Sequence, residues 1–220
     1  FPASVQPPTD RSPTMTRTDQ PNLPARGCNR DRVDRHDGVV REMGFRGVQV
    51  DGLHVRFGGV QAVTGVDLRV DRGQVAVLLG DAGAGKSTTL QVLAGVVAPS
   101  AGTAVVAGYD VRDSSPALRQ HIGHCPGLVG LVPRLTPWEH LRLDAWRRDL
   151  VDWEERALTL LHRFGLEDVA HRPAAGLDEE QARRFGVVLA AHAEPAVLLL
   201  DEPFGQFDPV GADAALEAIE

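Results

Sequence analysis

The chain has 220 residues, which is enough to bury one core with a small appended subdomain. Its net charge of −7 and the lack of any stripe rich in Lys and Arg argue against a nucleic-acid partner. The longest apolar runs, Val75–Leu79 and Val187–Ala191, are too short to cross a bilayer, and the first residues lack a signal-peptide pattern, so we expect any membrane role to come through a partner.

Residues 1–44 form a leader that we expect to be disordered. They hold six of the fifteen prolines, few large apolar residues and the charged stretch Arg30–Arg35. Met15 and Met43 are both plausible starts, so the leader need not be translated as drawn. The chain begins without Met and ends at 220 within an apparent helix, which indicates a fragment or misplaced ends.

Antiparallel strands are predicted to open the globular part, residues 45–220. Leu53, Val55 and Phe57 alternate with polar neighbours, a Gly-Gly pair makes a turn, and Val66–Val70 alternates again. The apolar run Val75–Leu79 then predicts a fully buried strand.

A glycine-rich motif, G-x-x-x-x-G-K-[ST], follows this strand. Its residues are Gly80, Asp81, Ala82, Gly83, Ala84, Gly85, Lys86, Ser87 and Thr88. A helix is predicted over 88–94, with Gly95 ending it. Such a loop turns backbone N–H groups and a helix N-terminus towards phosphate oxygens, while Lys86 reaches the β- and γ-phosphates and Ser87 holds Mg²⁺. A chance match has a probability of roughly one in a hundred, so the motif predicts a nucleoside triphosphate site, or descent from one.

A second half of that site is predicted near the end of the chain. The pattern predicts a strand at 103–106, helices at 137–149, 153–164 and 179–192, and a buried strand at 196–200. Asp201 and Glu202 directly follow the last strand. An Asp there can hold the Mg²⁺ shell, and Glu202 can polarise an attacking water. The alternative is a plain polar turn, which the upstream motif makes less favoured.

Together these segments resemble the ATP-binding subunit of an ABC transporter over residues 45–220. Phe57, 29 residues before Lys86, resembles the aromatic residue that stacks on adenine, although an aromatic residue ending a strand is otherwise more often core. Asp201-Glu202 resembles the Walker B pair, and Asp208 the loop that crosses to a partner subunit.

The resemblance implies an α/β fold with a P-loop NTPase core, an antiparallel β flank and a helical insert at about 128–177. It implies ATP and Mg²⁺ as cofactors, with Ser87 and Asp201 around the metal and Glu202 as catalytic base. It also implies an integral membrane subunit, a second ATP-binding subunit, and a cytoplasmic, peripheral location on the membrane. Three segments most resemble the branch that exports drugs or lipids, namely 107–111, 122–126 and 135–141.

Two positions depart from the family pattern. Gly127 stands where the family usually has a Gln that ligates Mg²⁺ and helps place the water. The signature Leu-Ser-Gly-Gly-Gln is replaced by Leu-Asp-Glu-Glu-Gln at 177–181, where Asp178 and Gln181 resemble a capping box. Repulsion between one of these carboxylates and a partner's γ-phosphate, about 4 Å apart, costs at most about 4 kcal/mol at an effective dielectric of 20. We therefore expect a heterodimer to be favoured over an ATP-bound homodimer, and weak turnover in isolation.

The remaining candidates for chemistry are weaker. His124, His140 and His192 form no metal set, and Cys28 and Cys125 lack metal spacing, which favours a reduced cytoplasmic protein. The apolar loop at 128–133 is either a docking patch for a membrane subunit or buried in the helical part, with equal weight.

Three other functions remain open at this point. A regulatory subunit that binds ATP without hydrolysing it fits the altered motifs, although a purely structural site has no need of Glu202. A P-loop phosphotransferase fits less well because it needs an arginine-bearing lid. DNA-repair and ribosome-associated relatives share the core, but the acidic balance and the lack of a coiled-coil insertion disfavour them.

Overall fold

A four-stranded antiparallel sheet forms one side of the computed structural model, which describes residues 14–16, 47–113, 116–126 and 130–203. Strands β2 (Val48–Phe57) and β3 (Val60–Val70) form a hairpin across Gly58-Gly59. Strand β5 (Ala101–Val106) pairs with the other edge of β2, and β6 (Tyr109–Asp110) pairs with β5. The predicted antiparallel flank is therefore confirmed.

The strand that leads into the glycine-rich loop differs from the prediction. Strand β4 spans Val77–Leu79 only, and Val75, Val77 and Leu79 are 64%, 51% and 50% exposed. Only Leu78 packs against the core. The prediction of a fully buried strand is wrong, because β4 packs only Leu78 against the core, and its single described neighbour, the three-residue strand β1 (Thr14–Thr16), lies beside it in the plane of the sheet.

Strand β1 itself was not predicted, since it lies inside the leader that we expected to be disordered. It pairs antiparallel with β4, with Met15 opposite Leu78. The other leader residues, 1–13 and 17–44, lie outside the described residues, so the expectation of disorder there stays a prediction. Cys28 lies in the same part.

A parallel strand pair, here called the second sheet, lies apart from the four-stranded sheet and from the short β1–β4 pair. Strand β7 (Ile122–Cys125) follows helix α2 (Pro116–His121), and it pairs with β8 (Val197–Leu200). Beyond β8, the Asp201 N–H donates to the Cys125 carbonyl at 2.9 Å. The predicted strand at 196–200 is confirmed to within one residue, whereas α2 and β7 were not predicted.

The predicted helices are present with nearly the expected bounds. Helix α1 spans Lys86–Leu93, α3 Pro137–Arg148, α4 Trp153–Arg163 and α5 Glu179–Ala191. Short 3₁₀ turns lie at Val111–Asp113, Glu167–Val169 and Ala174–Gly176.

Two of these helices begin with capping boxes. In α3 the Glu139 side chain bonds the Thr136 N–H and the Thr136 hydroxyl accepts from the Glu139 N–H. In α5 the predicted box between Asp178 and Gln181 is confirmed. Both termini satisfy N–H groups that would otherwise lack partners.

Two apolar clusters form the core. One packs the antiparallel sheet against α1 and α2, through residues such as Val50, Leu53, Val92 and Leu118. The other packs α3, α4 and α5 together with β7 and β8, through Leu141, Leu161, Phe185 and Val188. Among the described residues, no helix is long and apolar enough to cross a membrane.

A buried polar cluster, formed by Asp144, Arg148 and His192, joins the helices to the second sheet. Arg148 lies 3.0 Å from Asp144 and donates to the carbonyls of Arg119 and Ile122 at 2.9 and 3.4 Å. The Nδ1 atom of fully buried His192 lies 3.8 Å from Asp144. Because α3 carries Asp144 and Arg148, the cluster fixes that helix to the end of α2 and the start of β7.

Burial alone would raise the pKa of Asp144. The neighbouring His192 and Arg148, with hydrogen bonds from Arg147 and Arg148, outweigh burial and lower the pKa to about 2. The cluster therefore holds Asp144 as a carboxylate in the folded protein.

Candidate active site

The Lys86 side chain bridges the glycine-rich loop. Its Nζ atom donates to the carbonyls of Gly80 and Asp81, each at 2.9 Å. Neutral carbonyls are weaker acceptors than charged phosphate oxygens. Lys86 is therefore already held at the loop, and a phosphate chain can replace the carbonyls as its partner.

The N-terminus of α1 is built to receive an anion. Gly85, the N-cap, has φ +87° and supplies no side-chain cap, and the first turn carries no acidic residue. Gly83 also has positive φ, at +81°. The first N–H groups of the helix lack helical acceptors and add to the positive end of the helix dipole. Backbone donors and the ammonium of Lys86 thus converge at one end of α1.

A β-bulge presses the flank against this loop. Val55 pairs with Val63 and Arg56 with Gln61, so Ala62 is an extra residue in β3. A Cβ atom added at Gly85 would overlap the carbonyl oxygen of Ala62. Only glycine fits there, both because of this approach and because of its φ angle.

The same hairpin carries Phe57, which is half exposed at the end of β2. It pairs with Val60, two residues from the bulge at Ala62. The Phe57 ring is therefore exposed on the same hairpin whose Ala62 approaches Gly85 of the glycine-rich loop. Because the ring is half exposed, the alternative interpretation of Phe57 as a core residue does not hold.

The carboxylates predicted for the site follow β8. Helix α1, which carries Ser87 in its first turn, contacts β8, whose end leads into Asp201 and Glu202. Glu202 is exposed, and its backbone lies in the left-handed region at φ +46°. Ser87 is exposed and Asp201 half-buried. The two proposed metal ligands thus come from elements that touch.

His124 is a neighbour of this site that the sequence did not identify as functional. It lies in β7 opposite Leu199, and its Nε2 atom is buried without a hydrogen-bond partner among the described residues. Burial lowers the pKa of His124, and the charge of Asp201 partly offsets that shift. Spacing along the chain gave no signal for this placement.

The acidic segment that opens α5 is paired within its own helix. Glu179 contacts Arg183 at 2.7 Å, and Glu180 contacts Arg184 at 3.0 Å. Asp178 accepts the Gln181 N–H as the cap. Two of the three carboxylates therefore carry a guanidinium partner, and the repulsion of a nearby phosphate is smaller than the unpaired charges imply.

Several predicted features lie outside the described residues or have another role. Gly127 and Asp208 are not among those residues, and neither are positions 128 and 129 of the apolar loop. Buried His140 bonds the Thr136 carbonyl and accepts the Val132 N–H, both at 2.8 Å, so it ties the rest of the loop to α3. Among the residues the structure describes, no group of three His, Cys, Asp or Glu could hold a metal.

A glycine-rich loop on an uncapped helix, packed against a strand that ends in Asp-Glu, is the pattern of a nucleotide-binding domain. The model of one family, ABC transporter, matches residues 63–205. The chain belongs to the ABC transporter family.

Similar proteins support the same family. The chain is 35% identical over 161 residues to the osmoprotectant import ATP-binding protein OsmV of Salmonella typhimurium, covering 70% of this chain and 42% of that protein. It is 34% identical to the human phospholipid-transporting ATPase ABCA3, covering 72% of this chain and 9% of that protein. The chain thus spans less than half of either relative.

Solved structures agree with the fold. The structure of an ATP-binding subunit of an ABC transporter superposes with a TM-score of 0.69 at 30% identity, covering 78% of this chain and 72% of that one. The predicted α/β fold with a P-loop NTPase core is therefore confirmed. The ABC transporter assignment made from the motifs is confirmed as well.

Proposed function

We propose that this chain binds Mg·ATP through Gly80–Thr88 and hydrolyses it with Glu202 as general base, which drives export through a separate integral membrane subunit. The observation that carries the proposal is the uncapped N-terminus of α1, where Lys86 and backbone N–H groups converge beside the strand that leads to Asp201 and Glu202. Such a set of donors fits the triphosphate of a nucleotide.

Each residue of the site has a separate role in binding or hydrolysis. Lys86 exchanges its two carbonyl acceptors for phosphate oxygens, and the exposed ring of Phe57 stacks on the base. Glu202 accepts a proton from the water that attacks the γ-phosphate. Mg²⁺, whose preference for hard oxygen ligands suits Ser87 and Asp201, supplies positive charge beside the phosphates when bound.

The nucleotide test uses the purified chain and a fluorescent ATP analogue, with phosphate release followed in the same samples. We expect Lys86→Ala to weaken binding about ten- to a hundredfold, because it removes charge-assisted hydrogen bonds. Glu202→Gln should bind as the unaltered chain does and release no phosphate.

Unchanged binding by Lys86→Ala would overturn the nucleotide site. Binding without turnover in the unaltered chain would instead support the non-hydrolysing alternative, in which this chain is the degenerate half of an asymmetric pair. That alternative is disfavoured because its site has no use for Glu202.

A groove on α3 supports a docking surface for the membrane subunit. It has a volume of about 380 Å³ and is lined by Leu135, Glu139, Arg142, Leu143 and Trp146. Trp146 is 77% exposed, and Val132 of the apolar loop is also exposed. We propose that the partner covers this groove, which places the chain on the cytoplasmic face of the membrane. We also propose a second ATP-binding subunit, and a heterodimer rather than a homodimer.

Membrane association tests the groove. In cells that express the full protein, Trp146→Arg should reduce the share of the chain that sediments with membranes. Leu158→Arg is the matched control, because Leu158 is also exposed but lies on α4. Equal loss with both variants, or with neither, would contradict the proposed surface.

The direction of transport rests on sequence segments and on relatives that differ. One relative carries import in its name and another is a phospholipid-transporting ATPase. The segments at 107–111, 122–126 and 135–141 favour the exporter branch, and we propose export on that basis.

A further inference from the structure

We propose that Arg183 is a positioning residue for Glu202, and that Glu179 of the altered signature segment holds Arg183 in place. The acidic substitution at the start of α5 then serves the site of its own chain. This inference rests on the proposed role of Glu202 as general base.

The Arg183 guanidinium joins α5 to the turn that carries Asp201 and Glu202, here called the carboxylate turn. Arg183 Nη2 donates to the Glu179 carboxylate at 2.7 Å, four residues earlier on α5. Its Nη1 donates to the backbone carbonyl of Glu202 at 3.4 Å, 19 residues further along the chain. The Arg183 side chain is 20% exposed and that of Glu179 69%, so the guanidinium is largely covered while its carboxylate partner faces solvent.

The backbone at Glu202 is in a conformation that needs external support. Its φ of +46° lies in the left-handed region, which is sterically unfavourable for a residue with a Cβ. Asp201 is held on one side by its N–H bond to the Cys125 carbonyl at 2.9 Å. Arg183 holds the other side through the Glu202 carbonyl. The orientation of the Glu202 peptide, and with it the direction of the side chain, depends on both bonds.

The neighbouring ion pair provides an internal comparison. Glu180 and Arg184 have the same spacing on the same helix, at 3.0 Å. Arg184, however, donates to the Phe164 carbonyl at the end of α4, also at 3.0 Å. Two equivalent pairs therefore hold different parts of the molecule, and only the first reaches the carboxylate turn.

Hydrogen exchange without nucleotide tests the placement. Arg183→Met should raise deuterium uptake at the Asp201 amide, since the turn loses one of its two supports. Arg184→Met should instead raise uptake at the amides of Gly165 and Leu166, which follow the Phe164 carbonyl. Equal uptake at Asp201 in the unaltered chain and in Arg183→Met would overturn the proposal, and so would an equal increase there with Arg184→Met.

Kinetics test the consequence for the reaction. We expect Arg183→Met to lower kcat about ten- to a hundredfold, because a small misplacement of a catalytic group is costly, and to leave ATP affinity unchanged. Glu179→Gln should act in the same direction, and Arg183→Lys should recover part of the rate. A loss of affinity and rate in the same proportion would show a merely structural role and overturn the proposal.

The two proposals fail in distinguishable ways. If the unaltered chain binds ATP but releases no phosphate, the proposed hydrolysis fails, while the exchange result at Asp201 still decides whether Arg183 positions the turn. If the unaltered chain turns over and Arg183→Met is equally fast, the positioning role alone fails.

Discussion

The nucleotide side and the helical side of this molecule hold their polar groups in opposite ways. On the nucleotide side Lys86 is bound by backbone carbonyls at a loop that is open to solvent, beside a half-exposed strand. On the helical side Asp144 is buried against Arg148 and His192. Open backbone groups remain available for a ligand, whereas a buried charged cluster fixes the elements around it. The comparison separates a part that must exchange partners from a part that must not.

Removal of the buried carboxylate of Asp144 should have the largest effect on stability. A small effect would contradict the contrast between the two sides of the molecule. We expect Asp144→Ala to lower the free energy of unfolding by about 3–5 kcal/mol, because Arg148 is then left buried without its counter-charge. Chemical denaturation followed by circular dichroism measures this. Asp168→Ala is the control, since Asp168 is exposed and should change stability by less than about 0.5 kcal/mol. Similar losses for both variants would show that the cluster has no special weight.

Acid should act on the same cluster with a smaller effect. The pKa of Asp144 is about 2 in the folded protein against 3.8 in an unperturbed group. A lowered pKa contributes stability that is present above pH 4 and is lost as the pH falls towards 2. The stability advantage of the unaltered chain over Asp144→Asn should therefore shrink by about 2 kcal/mol between pH 6 and pH 2. A constant difference across that range would mean that Asp144 is not held as a carboxylate.

Two glycines of the glycine-rich loop test the nucleotide side of this comparison. Gly83 and Gly85 both have positive φ, but only at Gly85 would a Cβ meet the Ala62 carbonyl. Gly85→Ala should therefore destabilise the chain by about 1 kcal/mol more than Gly83→Ala, because overlap adds to the backbone cost. Thermal unfolding of the two variants measures the difference. Equal losses would show that the bulge at Ala62 yields easily.

The sequence predicted those parts of the fold that depend on neighbours along the chain. The glycine-rich motif, the hairpin turn at Gly58-Gly59 and the capping box at Asp178 are all set within a few residues, and the structure contains them. Helix bounds followed the apolar period for the same reason. Local chemistry suffices where one short segment decides the conformation.

Features set by distant parts of the chain were missed or wrong. The exposure of β4 depends on which strands flank it, and the apolar run alone indicated burial. Asp144 and His192 lie 48 residues apart in sequence, so no spacing rule joins them. Glu179 and Arg183 could have been paired from their i,i+4 spacing. The bond to Glu202 could not, because it depends on how α5 packs beside β8.

Arg148 donates hydrogen bonds to three backbone carbonyls, those of Arg119, Gln120 and Ile122, and this has a mechanical consequence. It binds the last residues of α2 and the first residue of β7, and the far end of β7 is bonded to Asp201. Three residue steps of extended strand, about 10 Å, separate the Ile122 and Cys125 carbonyls. Strand β7 therefore connects α3 directly to the peptide bond between Leu200 and Asp201. A displacement of α3 should therefore alter deuterium uptake at the Asp201 amide, through one strand and without a change in the sequence around the carboxylates.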